Sequence, residues 1–368
     1  MRIKPVACKS DSSIKMKVIG IGGGGNNAVN EMVINSKAFG ENVEFIVANT
    51  DVQALSRCVT PHKILLGEKL TKGRGAGGDP QVGKAAAEES EEKIYNSLLG
   101  AEIVFVTAGM GGGTGTGGAP VVARVAKERV KALTIGVVTR PFKFEQAIRR
   151  RYAEEGIKEL RKYVDMLIVV PNDKIFEVIK DTTPLLEAFS IANDVLENAV
   201  KSFCEIVNKI GIINIDVRDI QRAGTGNDNV DAMICVGMSN GLRDRVRIAA
   251  EKALSSLELY DDIDISSASH LVVYIVGPTA ISMKEIKDGL EYISTRVPAL
   301  DLRWGQVIDE TLFDQVKVII IATGIGKRGV LPPELEEEFR AFEEDSIASE
   351  CQEEMLKEFL VPAILEKK

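Results

Sequence analysis

Two glycine runs and one pair of carboxylates are the places where this sequence could do chemistry. The first run, Gly20-Ile-Gly22-Gly-Gly-Gly25-Asn-Asn, sits between a strand pattern and a helix pattern. Bare backbone N–H groups and the helix dipole favour an anionic phosphate at such a junction. Gly20, Gly22 and Gly25 also satisfy the dinucleotide spacing G-x-G-x-x-G, and Asp51 ends the next strand pattern, where a ribose-binding acid would sit. This loop alone leaves a nicotinamide-dependent oxidoreductase open.

The second run, Ala108-Gly-Met-Gly111-Gly112-Gly113-Thr114-Gly115-Thr116-Gly117-Gly118, again lies between a buried strand and a helix. A dinucleotide oxidoreductase needs no second phosphate cradle, whereas two loops at successive strand ends can wrap a triphosphate. No G-x-x-x-x-G-K-[ST] occurs, which excludes a P-loop. The expected ligand is a nucleoside triphosphate whose charge is met by amide N–H groups, Thr hydroxyls and Mg2+. The carboxylates are Asp216 and Asp219 in Asn214-Ile-Asp216-Val-Arg-Asp219. With only His62 and His270 in the chain, positioning of a hydrolytic water falls to carboxylates.

These segments need a scaffold, and the sequence supplies an α/β one: apolar strands alternating with turns and amphipathic helices, as in a parallel sheet with crossover helices. Strands are expected at Lys17–Gly20, Val43–Ala48, Ile103–Thr107, Leu133–Val138 and Met166–Val170, and helices near Asn27–Val33, Gln81–Leu98, Val121–Val130 and Phe144–Tyr163. A long periodic stretch from Pro184 to about Ile210 reads as one helix joining two domains. Beyond it, strands at Ala232–Val236, Leu271–Val276, Leu302–Ile308 and Val316–Ala322 alternate with helices at Leu242–Leu257 and Met283–Arg296, a smaller α/β domain.

The 368 residues are 45% hydrophobic, enough for two packed cores. The net charge of -8 resides in residues 332–368, so the body is balanced and the end is an acidic extension. One Trp and 5% aromatic content argue against stacking platforms for nucleic acid, which is not expected as a partner. Five scattered cysteines without a C-x-x-C pair suggest neither a disulfide framework nor a zinc site, and no apolar run suits a signal peptide or a membrane span. A cytoplasmic protein is expected.

From about Lys15 to Gly326 the chain resembles the FtsZ family of the tubulin superfamily, whose signature is G-G-G-T-G-T-G. Eight separated motifs carry the likeness in order: Gly22-Gly-Gly-Gly25-Asn26, Asn49-Thr50-Asp51, Gly75-Ala-Gly-Gly78, Gly111–Gly118, Pro141-Phe-Lys-Phe-Glu145, Pro171-Asn172-Asp173, Glu187-Ala-Phe189 and Asn214-Ile-Asp216. The resemblance implies a tubulin-like fold with a Rossmann-like parallel-sheet GTPase domain, a long central helix and a smaller C-terminal α/β domain. It implies GTP/GDP binding, with Gly22, Gly23, Gly24, Asn26 and Asn49 on the first side and Gly111, Gly112, Gly113, Thr114, Gly115, Thr116 and Gly117 on the second. Glu145 would bond the ribose, Arg149 would sit near the phosphates, and Asn172, Phe189 and Asn193 would read the base.

If Asn193 touches guanine, the seventeen residues from there to Ile210 carry the chain roughly 25 Å along the helix axis. Asp216, Asp219 and Asn214 then serve as the catalytic loop of the neighbouring subunit's site, and head-to-tail association makes a filament. The resemblance implies the same, and a cytokinetic ring at mid-cell as the product. A filament that binds nucleotide with little hydrolysis is the alternative, because the family's N-x-D-F-A-D has Val217-Arg218 in place of Phe-Ala. Arg218 is expected to alter turnover without abolishing it, either by ion pairing that lowers the basicity of Asp216 and Asp219 or by facing the phosphate and aiding it. The polar turn Ala223-Gly-Thr-Gly-Asn-Asp-Asn-Val is longer than the family's, which affects subunit contacts there.

The expected organisation is a flexible arm (1–13), nucleotide domain (14–182), central helix (183–210), activation and polymerisation domain (211–326), acidic linker (327–357) and terminal peptide (358–368). Val361-Pro-Ala-Ile-Leu-Glu-Lys-Lys368 resembles the family's tail, which docks on membrane-tethering division proteins.

Overall fold

The computed structural model describes residues 14–174, 183–208, 231–241, 243–255, 265–299 and 301–325. The arm, the acidic linker, the terminal peptide and the Asn214–Asp219 loop with the following turn lie outside the described residues.

The protein is α/β, with two sheets. The first holds β1 (Met16–Ile21), β2 (Val43–Asn49), β3 (His62–Leu65), β4 (Ile103–Gly109), β5 (Leu133–Arg140) and β6 (Met166–Pro171) in the order β3-β2-β1-β4-β5-β6, all parallel. The order reverses between β1 and β4, which opens a crevice at their carboxyl ends. The register pairs Ile21 with both Ala48 and Ala108, so the three central strands end level. Val104, Phe105 and Val106 are fully buried, as expected of a strand covered on both faces.

Crossovers are made by α1 (Gly22–Ile34), α2 (Val52–Ser56), α3 (Glu68–Thr71), α4 (Pro80–Glu89), α5 (Glu91–Leu98), α6 (Thr114–Arg124) and α7 (Ala147–Arg161). The single helix expected over Gln81–Leu98 is two. Ser90 interrupts it, buried, with its Oγ accepting from Gly67 N at 2.9 Å. β3 was not expected. It is four residues long and half exposed, too short to show a period.

Helix α8 (Leu185–Asn208) is the long connector, roughly 36 Å at 1.5 Å per residue. Leu196, Val200 and Phe203 are buried in one core with Phe105 and Ile135 of the first sheet and with Tyr274 and Ile319 of the second. Phe203 meets Phe105 edge to face at 5.8 Å, and Lys317 Nζ lies 2.5 Å from Glu205 Oε2. One helix thus packs against both sheets.

The second sheet has the order β7-β10-β8-β9, from β7 (Ala232–Asn240), β8 (His270–Gly277), β9 (Asp301–Ile308) and β10 (Gln315–Thr323). β10 runs antiparallel to β7 and β8, and β8 is parallel to β9. Helices α9 (Arg245–Ser255) and α10 (Met283–Arg296) pack on it. Among the described residues no helix is long and apolar enough to cross a membrane.

Candidate functional site

At the switch point, β1 and β4 each feed a helix whose first turn is rich in glycine. Glycine is a poor helix former, so the sequence suggests loops up to Asn27 and Val121. Instead α1 begins at Gly22 and α6 at Thr114. Neither helix start receives a side-chain cap, and neither carries an acid in its first turn. Every helix start leaves N–H groups that need acceptors. Among the described residues none accepts from the amides of Gly22, Gly23 and Gly24, nor from those of Thr114, Gly115 and Thr116. Two parallel sets of free donors and two helix dipoles therefore converge on one crevice, a site for a multiply charged anion.

The glycines divide by role. A Cβ added at Gly23, Gly112, Gly77 or Gly78 would meet nothing within 4 Å, so the backbone there faces open space. Gly22 and Gly111 have φ of +72° and +98°, left-handed conformations that glycine adopts without strain. Gly113, Gly115 and Gly117 instead permit close packing: an added Cβ would lie 2.9 Å from Ala76 Cβ, 2.7 Å from Gly109 O and 2.0 Å from Pro80 O. The amides of Gly111 and Gly117 are engaged internally, the first by Thr116 Oγ1 at 2.8 Å and the second by Gly113 O at 3.0 Å.

Side chains behind the cradle hold its shape. Asn26 is buried. With its carboxamide oriented to suit its neighbours, it donates to Gly20 O (2.9 Å), Gly22 O (3.0 Å) and Ala48 O (3.2 Å) and accepts from Asn49 Nδ2 (3.0 Å). Asn49 Oδ1 accepts from Asp51 N at 3.2 Å. Thr50 and Thr114 join their hydroxyls at 2.6 Å, and Gly75 N donates to Thr50 O at 3.0 Å, tying in the 72–79 loop. Asp51 accepts from Gln53 N and Ala54 N through Oδ1 as the cap of α2.

The residues expected near ribose and base lie on the other flank. Glu145 Oε1 accepts from Phe142 N at 3.0 Å, while its other oxygen pairs with Arg149. Arg149 carries its backbone to the glycine cradle, since an added Cβ at Gly111 would lie 2.9 Å from Arg149 O. Phe142 packs against Ala192 and Ile191 of α8. The next residue, Asn193, donates from Nδ2 to Glu31 Oε1 at 3.0 Å. Asn172 is buried, with an Oδ1 that has no partner among the described residues. Phe189 lies on α8, its side chain outside the description. The structure thus gathers Glu145, Arg149 and Asn193 around the start of α7 and the first half of α8.

Glu31 and Thr50 were not singled out from the sequence. Thr50 belongs to a quoted motif but carries no charge to advertise it. Glu31 looks like a solvated helix residue, yet burial raises its pKa, opposed by the Asn193 hydrogen bond, with Asp194 and Glu197 adding repulsion.

Residues 15–180 match the Tubulin/FtsZ family GTPase domain, and residues 231–326 match the FtsZ family C-terminal domain. Among solved structures, the chain is similar to an empty FtsZ dimer from M. jannaschii: 37% identity over 88% of this chain and 95% of that one, TM-score 0.76. A point mutant of M. jannaschii FtsZ gives 39% identity over 85% and 92%, with a TM-score of 0.75. A GTPγS-bound protofilament of CetZ2 from Haloferax volcanii aligns over 92% of this chain and 100% of that one at TM-score 0.72. Its 19% identity shows the fold alone.

Proposed function

Because this chain belongs to the tubulin/FtsZ family, we propose that it is a GTPase that assembles head to tail, each copy completing the site of the next. GTP binding and hydrolysis follow from the family's GTPase domain. The observation that carries the rest is the pair of uncapped helix starts at adjacent strand ends, whose free amides suit a triphosphate better than a single pyrophosphate. The amides of α1 and α6 hold the phosphates and stabilise charge that develops in the transition state. Mg2+, when bound with the nucleotide, shields the phosphate charge, and the Thr50 and Thr114 hydroxyls are the neutral oxygens at hand. Glu145 orients the ribose, and Asn172, Phe189 and Asn193 recognise the base.

Hydrolysis needs a positioned water. Asn214, Asp216 and Asp219 supply that role from the adjoining copy. α8 supports this reading, because the fifteen residues from Asn193 to Asn208 run roughly 22 Å away from the base flank before the acid loop begins. A heterologous contact of this kind propagates instead of closing, and yields a filament. The filament's cellular role is the cytokinetic ring in the cytoplasm at mid-cell, tethered to the membrane through Val361–Lys368.

Phosphate release from GTP, followed with light scattering across a protein dilution series, tests the shared site. The rate per molecule should fall steeply as oligomers disappear, and full activity in isolated monomers would exclude catalysis across a junction. Deleting residues 358–368 should spare hydrolysis and polymer formation while abolishing tether binding.

A further inference from the structure

A carboxylate can only accept hydrogen bonds, so a carboxamide beside it must turn its nitrogen inward. Asn193 does this: Nδ2 donates to Glu31 Oε1 at 3.0 Å, and Asn193 Oδ1 has no partner among the described residues. Glu31 Oε2 is buried and has no partner within ordinary hydrogen-bond geometry among the described residues, the Ser190 hydroxyl being its neighbour. The flank where α1 meets α8 therefore presents Asn193 Oδ1 as an open acceptor next to a carboxylate whose other neighbour is the Ser190 hydroxyl. Glu31 lies nine residues along α1 from Gly22, roughly 14 Å from the first free amide. That separation matches the reach of a nucleotide from its phosphates to the far edge of its base.

We propose that Glu31 is a positioning residue for nucleotide choice, holding Asn193 so that an oxygen, not an N–H, faces the base. The inference rests on the reading that Asn193 meets the base. Guanine offers two donors on its Watson–Crick edge, N1–H and the 2-amino group, and both suit an acceptor-only surface. Adenine keeps a donor in its 6-amino group but presents the lone pair of N1 and a C2–H where guanine has N1–H and the 2-amino group, which would set lone pair against oxygen lone pair and leave the acceptors there unsatisfied. A site built to receive donors rejects the analogue lacking them more strongly than a shape-selective pocket can. The neighbouring Asn35 makes the same kind of contact one turn on, Nδ2 donating to Glu197 Oε1 at 3.0 Å, which fixes α1 against α8 and keeps Glu31 in register.

The diagnostic variant is Glu31→Gln, which preserves volume but can offer an N–H to Asn193 and so permit the flipped carboxamide. Affinities of the full chain for GTP and ATP are measured by calorimetry below the concentration at which polymer forms, with thermal midpoints as a folding control. The GTP-to-ATP affinity ratio should fall roughly tenfold or more in Glu31→Gln, the effect of losing one charge-assisted hydrogen bond, and similarly in Glu31→Ala. A merely structural role would weaken both nucleotides in parallel and leave the ratio intact, which overturns the proposal. Asn193→Ala separates the two layers. If it leaves the ratio unchanged, Asn193 does not meet the base and both readings fail. If it collapses the ratio while Glu31→Gln does not, base recognition stands and the positioning role of Glu31 falls.

Discussion

Helix α10 of the second sheet and helices α1 and α6 of the first treat the same physical problem in opposite ways. Ser282 and Glu285 close α10 with a capping box, and Arg245 grips Glu285 through Nε at 2.9 Å and Nη2 at 3.1 Å while also donating to Ala280 O. Among the described residues, the first amides of α1 and α6 have no acceptor. In one region the backbone donors are satisfied within the protein and contribute to stability. In the other they stay unpaired among the described residues, and Asn26, Thr50 and tight glycine packing keep the open ends in shape. Stability and binding should therefore respond separately to changes in the two regions.

The sharpest separation is expected from Arg245→Ala. It removes the guanidinium from the partly buried Glu285 carboxylate, which keeps only its Ser282 hydrogen bonds, and should lower unfolding stability by about 2 kcal/mol, with GTP affinity unchanged. Denaturant melts with nucleotide titration check both halves, and a matching loss of GTP affinity would break the comparison. The ion pair also sets an acid limit. Hydrogen bonding from Arg245 holds the Glu285 pKa down at about 2, below its ordinary 4.5. Its contribution is therefore complete above about pH 4.5 and is lost as pH falls towards 2. Stability measured across that window should drop in the parent and change less in the Arg245→Ala variant.

Gly112→Ala probes the other region. Its added methyl enters open space, so the thermal midpoint should hold, while GTP affinity should fall about tenfold because the methyl fills the cradle. Normal GTP affinity would mean the open face of this loop is not where phosphates lie. The smallest effect belongs to Ser282→Ala, which removes half of the capping box and should lower stability by about 1 kcal/mol without altering nucleotide binding.

Much of the frame was legible because burial on both faces writes itself as apolar runs: Ile103–Thr107 and Leu133–Val138 fall inside β4 and β5, and Met283–Arg296 coincides with α10 behind its Ser-x-x-Glu start. The break at Ser90 was not legible, since no glycine or proline marks it and the cause is a hydrogen bond from Gly67, distant in sequence. Nor could spacing show which glycines face open space. Gly112 and Gly113 are neighbours of identical chemistry, yet one faces open space and the other lies against Ala76 and Asp79.

By itself the sequence determined the alternation of strands and helices, the two glycine cradles and the absence of a P-loop lysine, because these depend on local composition and period. Only the tertiary structure decided which amides remain free, that Asn26 serves as a brace behind the loop, and that Glu31 meets Asn193 across 162 positions of chain. Hydrogen-bond partners are chosen by proximity in space, and proximity between residues so far apart exists only once the sheet has ordered its strands.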